Sequence, residues 1–162
     1  MPRIDFSSIP ERARLWVFVA DVPVADPAPL LQAVDAHLAQ WNAHGVPLVC
    51  GRDWRDDRFL AIAVDEAATG ASGCSIDGLF RTIGRVQSQI NVDLLASGRV
   101  AWREPNGQIR VSTRAEFEAL AASGAVDANT RVYETLVETV GEWRTRFERP
   151  AAESWVRALL PS

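Results

Sequence analysis

Apolar residues in the first hundred positions alternate between short unbroken runs and runs with a helical period. Leu15-Trp16-Val17-Phe18-Val19-Ala20 is unbroken and of strand length, as in a strand covered on both faces. Residues 23–29 carry prolines and break the chain. Leu30, Leu31, Val34, Leu38 and Trp41 then recur at helical spacing, which predicts a helix over 27–43 with Asp26 as N-cap and Gly45 as its stop. Two extended segments, 47–54 and 58–64, flank Arg55-Asp56-Asp57 and predict a hairpin whose second strand is the more apolar. Ile76, Leu79, Phe80, Ile83, Val86 and Ile90 predict a second amphipathic helix ending near Asn91, and residues 99–103 alternate as a fourth strand.

The order strand, helix, strand, strand, helix, strand is that of a split βαβ, or ferredoxin-like, unit. Its sheet centre belongs to the first and third strands, and these are the most apolar here. The expected fold class is α+β, with a ferredoxin-like β-α-β-β-α-β core over residues 1–104. The first and third strands are expected to run parallel, so both helices start at one sheet end and His44, at a helix finish, lies at the other.

Beyond Glu104, Pro105-Asn106-Gly107 is a turn and residues 108–111 pair back as a hairpin. Thr113-Arg114-Ala115-Glu116 is a capping-box sequence opening a short helix through Phe117 and Leu120, closed by Gly124. A strand over 131–133 and a short helix near 153–160 complete a small α/β appendage, residues 105–162. The join has no flexible linker, so the appendage is expected to pack on the core.

Composition removes several functions. With 48% hydrophobic and 23% charged residues in 162, the chain is globular and long enough to bury a core without disulfide or metal. No run reaches the ~18 apolar residues of a membrane helix. A net charge of −4 argues against non-specific binding to nucleic acid or anionic lipid. All 17 basic residues are arginine, which removes Schiff-base chemistry and the P-loop lysine; the G-x-x-x-x-G-K-[ST] pattern is also missing. The arginine bias itself reads as codon usage of a GC-rich genome. Residues 1–6 lack a basic segment leading into an apolar run, so a cytoplasmic location is expected, with Cys50 and Cys74 reduced.

Candidate chemistry centres on Ser72-Gly73-Cys74-Ser75-Ile76-Asp77, where the third strand hands over to the second helix. Free N–H groups and the positive dipole end of a helix start suit a thiolate or another anion. Cys74 is thus a candidate nucleophile or redox thiol. Ser72, Gly73, Ser75 and Asp77 are candidate ligand-binding residues for a carboxylate or phosphate, held by N–H groups with the serine hydroxyls assisting. The structural alternative is that Ser72 caps the helix while Gly73 and Cys74 let it approach the sheet.

Asp65 and Glu66 follow the third strand and are expected beside Cys74 and near the first-helix start at Asp26. There they could serve acid–base work, though loop solvation or capping is the commoner fate of such carboxylates. The strand directions count against a dyad of Cys74 with His44, which reads as a turn residue; His37 borders the core in mid-helix. His37, His44 and Cys50 lack zinc-ligand spacing and no Cys-x-x-Cys exists, so neither metal nor cofactor is expected. The mixed charges of residues 52–58 read as local surface pairing. Of six tryptophans, Trp16 and Trp102 are expected to straddle the sheet and Trp41, Trp143 and Trp155 to fasten the appendage.

Several strings together resemble an uncharacterised bacterial family: Ala13-Arg14-Leu15-Trp16-Val17, Trp41-Asn42-Ala43-His44-Gly45, Phe59 through Glu66, Ala71 through Asp77, and Pro150 through Trp155. The Ser-Gly-Cys-Ser-Ile-Asp string is the most specific. Members often carry the label "ABC transporter ATPase", but this chain has no Walker A loop and is not expected to be an ATPase. The resemblance implies a shared fold and a shared site without an activity. In the appendage, the hairpin, the short helix, Gly124-Ala125-Val126-Asp127 and Thr130-Arg131-Val132 also resemble small GYF-type adaptor domains, without the Gly-Tyr-Phe triplet.

Three functions remain. The first is a small cytoplasmic binding module for a small anion or protein partner. The second is a cysteine-dependent enzyme or redox protein using Cys74. The third is a structural homo-oligomer subunit that pairs through sheet edges.

Overall fold

A computed structural model describes residues 3–162. In chain order the elements are β1 (Arg14–Val19), α1 (Ala28–Ala39), β2 (Asn42–Ala43), β3 (Val46–Pro47), β4 (Val49–Arg55), β5 (Phe59–Asp65), α2 (Gly73–Ile90), β6 (Val100–Arg103), β7 (Ile109–Ser112), α3 (Arg114–Ala122), β8 (Arg131–Tyr133), α4 (Val140–Thr145) and β9 (Glu148–Pro150). Among the described residues the protein is α+β, with four α-helices and three antiparallel sheets. Two compact units emerge. One takes the chain up to Leu95 and returns for Val137–Trp143; the other takes Ala96–Leu136 and Arg144–Ser162. The boundary expected after Glu104 falls inside the β6–β7 hairpin of the second unit.

The first unit is built on the sheet β1-β5-β4, with β5 in the centre. Phe59 through Val64 are all fully buried, which explains why that run is apolar without alternation. Toward the helices, Leu60, Ile62 and Val64 meet Leu30, Val34 and Leu38 of α1 and Leu79, Ile83 and Val86 of α2. Arg52 of β4 holds Asp35 of α1 through two bonds of 2.9 and 3.0 Å. The opposite face of β4 carries Gly51, Asp53 and Arg55. Asp53 accepts a bond from Trp143 Nε1 at 2.9 Å, and the Arg55 guanidinium lies 4.3 Å from that ring centre. Residues 52–58 thus fasten a helix and a fully buried tryptophan, beyond the surface pairing expected of them.

Strand direction departs from the expectation. β1 and β5 are antiparallel, with Arg14 opposite Val64 and Val19 opposite Phe59. The chain therefore leaves β1 at one end of the sheet and β5 at the other, so α1 and α2 start at opposite ends. The finish of α1 lies with the start of α2. The first helix is also shorter than expected. It stops at Ala39, and residues 42–47 form the β2–β3 hairpin, whose two turn residues, His44 and Gly45, both have positive φ, as a type I′ turn requires.

The expected fourth strand, β6, lies in a different sheet, ordered β7-β6-β8-β9. Two local causes are visible. The β1 edge is already engaged, since Leu15 N–H donates to the Glu138 carbonyl and Arg14 bridges Thr139. The turn at residues 105–107 meanwhile closes β6 onto β7 at little loop entropy. The second unit has its own core, where Val100, Trp102, Phe117, Val132, Ala151 and Val156 cluster. Trp102 Nε1 is satisfied by Ser112 Oγ at 3.0 Å. Trp16 and Trp102 hence belong to separate sheets.

Candidate functional site

The first turn of α2 is fixed by a reciprocal capping box. Ser72 Oγ accepts from Ser75 N–H at 3.2 Å, and Ser75 Oγ accepts from Ser72 N–H at 2.7 Å while donating to the Ser72 carbonyl at 2.8 Å. The Ser75 hydroxyl is therefore committed within the cap as donor and acceptor, whereas the Ser72 hydroxyl only accepts there and its own O–H has no acceptor among the described residues. Ile76 N–H makes the first helical bond, to the Ser72 carbonyl. The amides of Gly73 and Cys74 lie between these and have no protein acceptor among the described residues. Both residues are exposed, and a Cβ added at Gly73 would meet nothing within 4 Å. The turn thus presents two N–H groups, at the positive end of an 18-residue helix, to open space.

A circuit of contacts holds this turn against the sheet end. Trp41 Nε1 donates to the Ser75 carbonyl at 2.8 Å, tying the finish of α1 to the start of α2. The Trp41 ring meets Trp16 edge-on at 6.2 Å, and the Arg14 guanidinium lies 4.6 Å from the Trp16 ring centre. Arg14 Nη1 is 3.8 Å from Glu66 Oε2, which also accepts from Ala71 N–H at 2.9 Å, one residue before the cap. Gly70 allows the carboxylate to fold back over its own loop, because a Cβ there would approach Glu66 Oε2 to 2.8 Å. Asp65 is likewise engaged, accepting from Arg12 Nη2 and from Ala67 N–H, each at 3.1 Å.

Asp65, Glu66 and Cys74 share the sheet end, as expected, but Asp26 lies at the other end, where its side chain accepts from Ala28 N–H. The expected separation of His44 from Cys74 is also overturned. Antiparallel β1 and β5 bring the β2–β3 turn to the sheet end where α2 begins, the end at which Trp41 bonds the Ser75 carbonyl. Ser75 is buried and Asp77 exposed, just past the first turn. The sequence reading missed Arg12, Arg14 and Trp41 as organisers of this end. The signal for Trp41 was its place as the last apolar residue of the first helical pattern.

The other titratable groups lie apart from the turn. His37 is wedged between the helices, with Nδ1 3.1 Å from Thr82 Oγ1 and a buried, unpartnered Nε2. Burial, then Arg85 and Arg81, hold its pKa below the ordinary value. Cys50 is fully buried, with Sγ 3.5 Å from the Leu38 carbonyl, and burial pushes its thiol up to about 12. Cys74 is the exposed thiol. Among the described residues no group of three or more His, Cys, Asp or Glu could hold a metal ion, and no helix is long and apolar enough to cross a membrane.

Compared with protein-family models, curated proteins and solved structures, the chain matches none of them.

Proposed function

We propose that the chain is a small cytoplasmic binding module, and that the first turn of α2 receives a carboxylate or phosphate of a small ligand or protein partner. The observation that carries this reading is the pair of exposed Gly73 and Cys74 amides without protein acceptors. The capping box and Trp41 hold them in place, so binding energy is not spent on ordering the turn. The turn also coincides with the Ser-Gly-Cys-Ser-Ile-Asp string that carries the family resemblance. In the scaffold, the order β1-α1-β4-β5-α2, with the small β2–β3 hairpin inserted after α1, and the strand order β1-β5-β4 support a ferredoxin-like reading, with the Glu138–Thr139 stretch standing at the edge a fourth strand would take.

The test is a nuclear magnetic resonance titration of ¹⁵N-labelled protein with acetate and with inorganic phosphate at constant ionic strength. Saturable shifts at the Gly73 and Cys74 amides are expected. If those amides stay still up to roughly 50 mM anion, weaker than any useful affinity, the reading fails.

A second reading, thiol chemistry at Cys74, is favoured by the exposure of that sulfur in the same turn. Asp65 and Glu66 are held by Arg12, Arg14 and backbone N–H groups, so His44, brought to this end by the antiparallel sheet, is the stronger candidate base. The rate of Cys74 alkylation should then fall when His44 is replaced by Gln; an unchanged rate removes His44 from the chemistry.

A further inference from the structure

The two units differ in charge. Residues 96–136 and 144–162 hold nine arginines against seven carboxylate side chains, a net of +2, while the remaining residues hold eight against fourteen, a net of −6. Arg144, Arg146 and Arg149 fall within six residues of one another, where α4 runs into β9. Between this stretch and β8 lies a cleft of about 440 Å³, and Arg131, Arg146 and Arg149 all line it, together with Thr145.

The three guanidinium groups are held differently. The Arg149 side chain is only 15% exposed, and it donates from Nε to the Arg146 carbonyl and from Nη1 to the Glu153 carbonyl, each at 3.0 Å. Glu134 Oε2 lies 3.9 Å from the same Nη1. This group is fixed in orientation, with Nη2 free of a protein acceptor among the described residues. Arg131 donates from Nη2 to the Glu148 carbonyl at 3.3 Å, which leaves Nη1 open. Arg146 is exposed, and its side chain has no acceptor among the described residues.

Two carboxylates also line the cleft. Glu148 is occupied, since Arg103 reaches its two oxygens at 3.0 and 3.4 Å and Arg131 Nε lies 3.8 Å away. Glu153, and Glu134 against Arg149, remain as the opposing charges.

We propose that this cleft binds the phosphate group of a small organic phosphate, at a site separate from the α2 turn. Guanidinium N–H groups match phosphate oxygens, and the open fork of Arg146 together with Nη1 of Arg131 and Nη2 of Arg149 offers donors to all three terminal oxygens of a phosphate monoester, where a carboxylate has only two. The volume falls within the range of small-ligand sites, and the charged lining selects a polar occupant.

The experiment is a titration of ¹⁵N-labelled protein with inorganic phosphate and with glycerol phosphate, using acetate at matched ionic strength as control. Saturable shifts are expected at the amides of Thr145, Arg146 and Arg149. Gly73 and Cys74 report the other site within the same spectra, so either reading can fail alone. Arg146→Gln, which removes no contact within the described structure, should weaken phosphate binding about tenfold. Glu153→Gln should tighten it. Tighter binding of the ester places its organic part inside the cleft, and equal binding places it outside; either supports the site. Shifts that follow ionic strength alone, shifts confined to Gly73 and Cys74, or parental affinity in Arg146→Gln would overturn the proposal.

Discussion

The indole Nε1 of Trp41 donates to the main-chain carbonyl of Ser75 at 2.8 Å, and through this bond the end of one helix positions the first turn of the next. Trp41 is 3% exposed, so its N–H has no access to solvent in compensation. Trp41→Phe keeps most of the ring volume and removes the donor. It should cost about 1–2 kcal/mol in urea unfolding and speed hydrogen exchange in the first turn of α2. Unchanged exchange at Ser75 and Ile76 would show that the capping box alone fixes the turn.

The two cysteines should behave as different chemical species. Cys74 is exposed, whereas Cys50 is fully buried against the Leu38 carbonyl and its thiol is pushed up to about 12. A thiol reagent at pH 8 should modify one equivalent in native protein and the second only on unfolding, with peptide mapping placing the first at Cys74. Modification of Cys50 in native protein would contradict the packing of β4 against α1.

His37 gives stability a pH dependence of known sign. Its folded-state pKa is lowered by burial and by Arg85 and Arg81, so the unfolded chain takes up the proton first as pH falls. This contribution is fully present above the unfolded value of about 6.5 and is lost as pH falls from there through the lowered folded value. Urea midpoints measured from pH 7.5 to 5 should decline, and His37→Gln should flatten the decline. Parallel profiles for parent and variant would assign the slope to other groups.

Gly51 is required by close approach rather than by backbone angle. A Cβ at this position would lie 2.7 Å from Ile9 Cδ1 and 2.9 Å from the Ile4 carbonyl oxygen. The isoleucine methyl can turn aside, but the carbonyl belongs to the backbone pairing in which Ile4 N–H donates to Cys50. Gly51→Ala should therefore destabilise by about 2–3 kcal/mol. A calorimetric melting temperature equal to the parent's would mean that the N-terminal segment contributes little.

The sequence carried the elements and the cap because both rest on local rules. The run 59–64 read as a central strand, and the helical spacing from Ile76 to Ile90 as one helix, since each buried face leaves its period in neighbouring positions. Ser72 could be read as a cap because the bond it makes spans three residues. The hairpin at 42–47 was less legible. Residues 41–43 continue a helical pattern, and only the left-handed turn at His44-Gly45 converts them to strand.

By itself, then, the chain determined an α+β protein, the place of Cys74 in the first turn of a helix, and a buried central strand. Tertiary structure decided the rest. It ran β5 against β1, which put the β2–β3 turn rather than Asp26 at the sheet end of that helix start, and it closed β6 into a second sheet. It also drew Arg131 to the cleft beside Arg146 and Arg149. Strand direction and long-range pairing leave no periodic trace, because they follow from which edges remain unfilled once the local elements have formed.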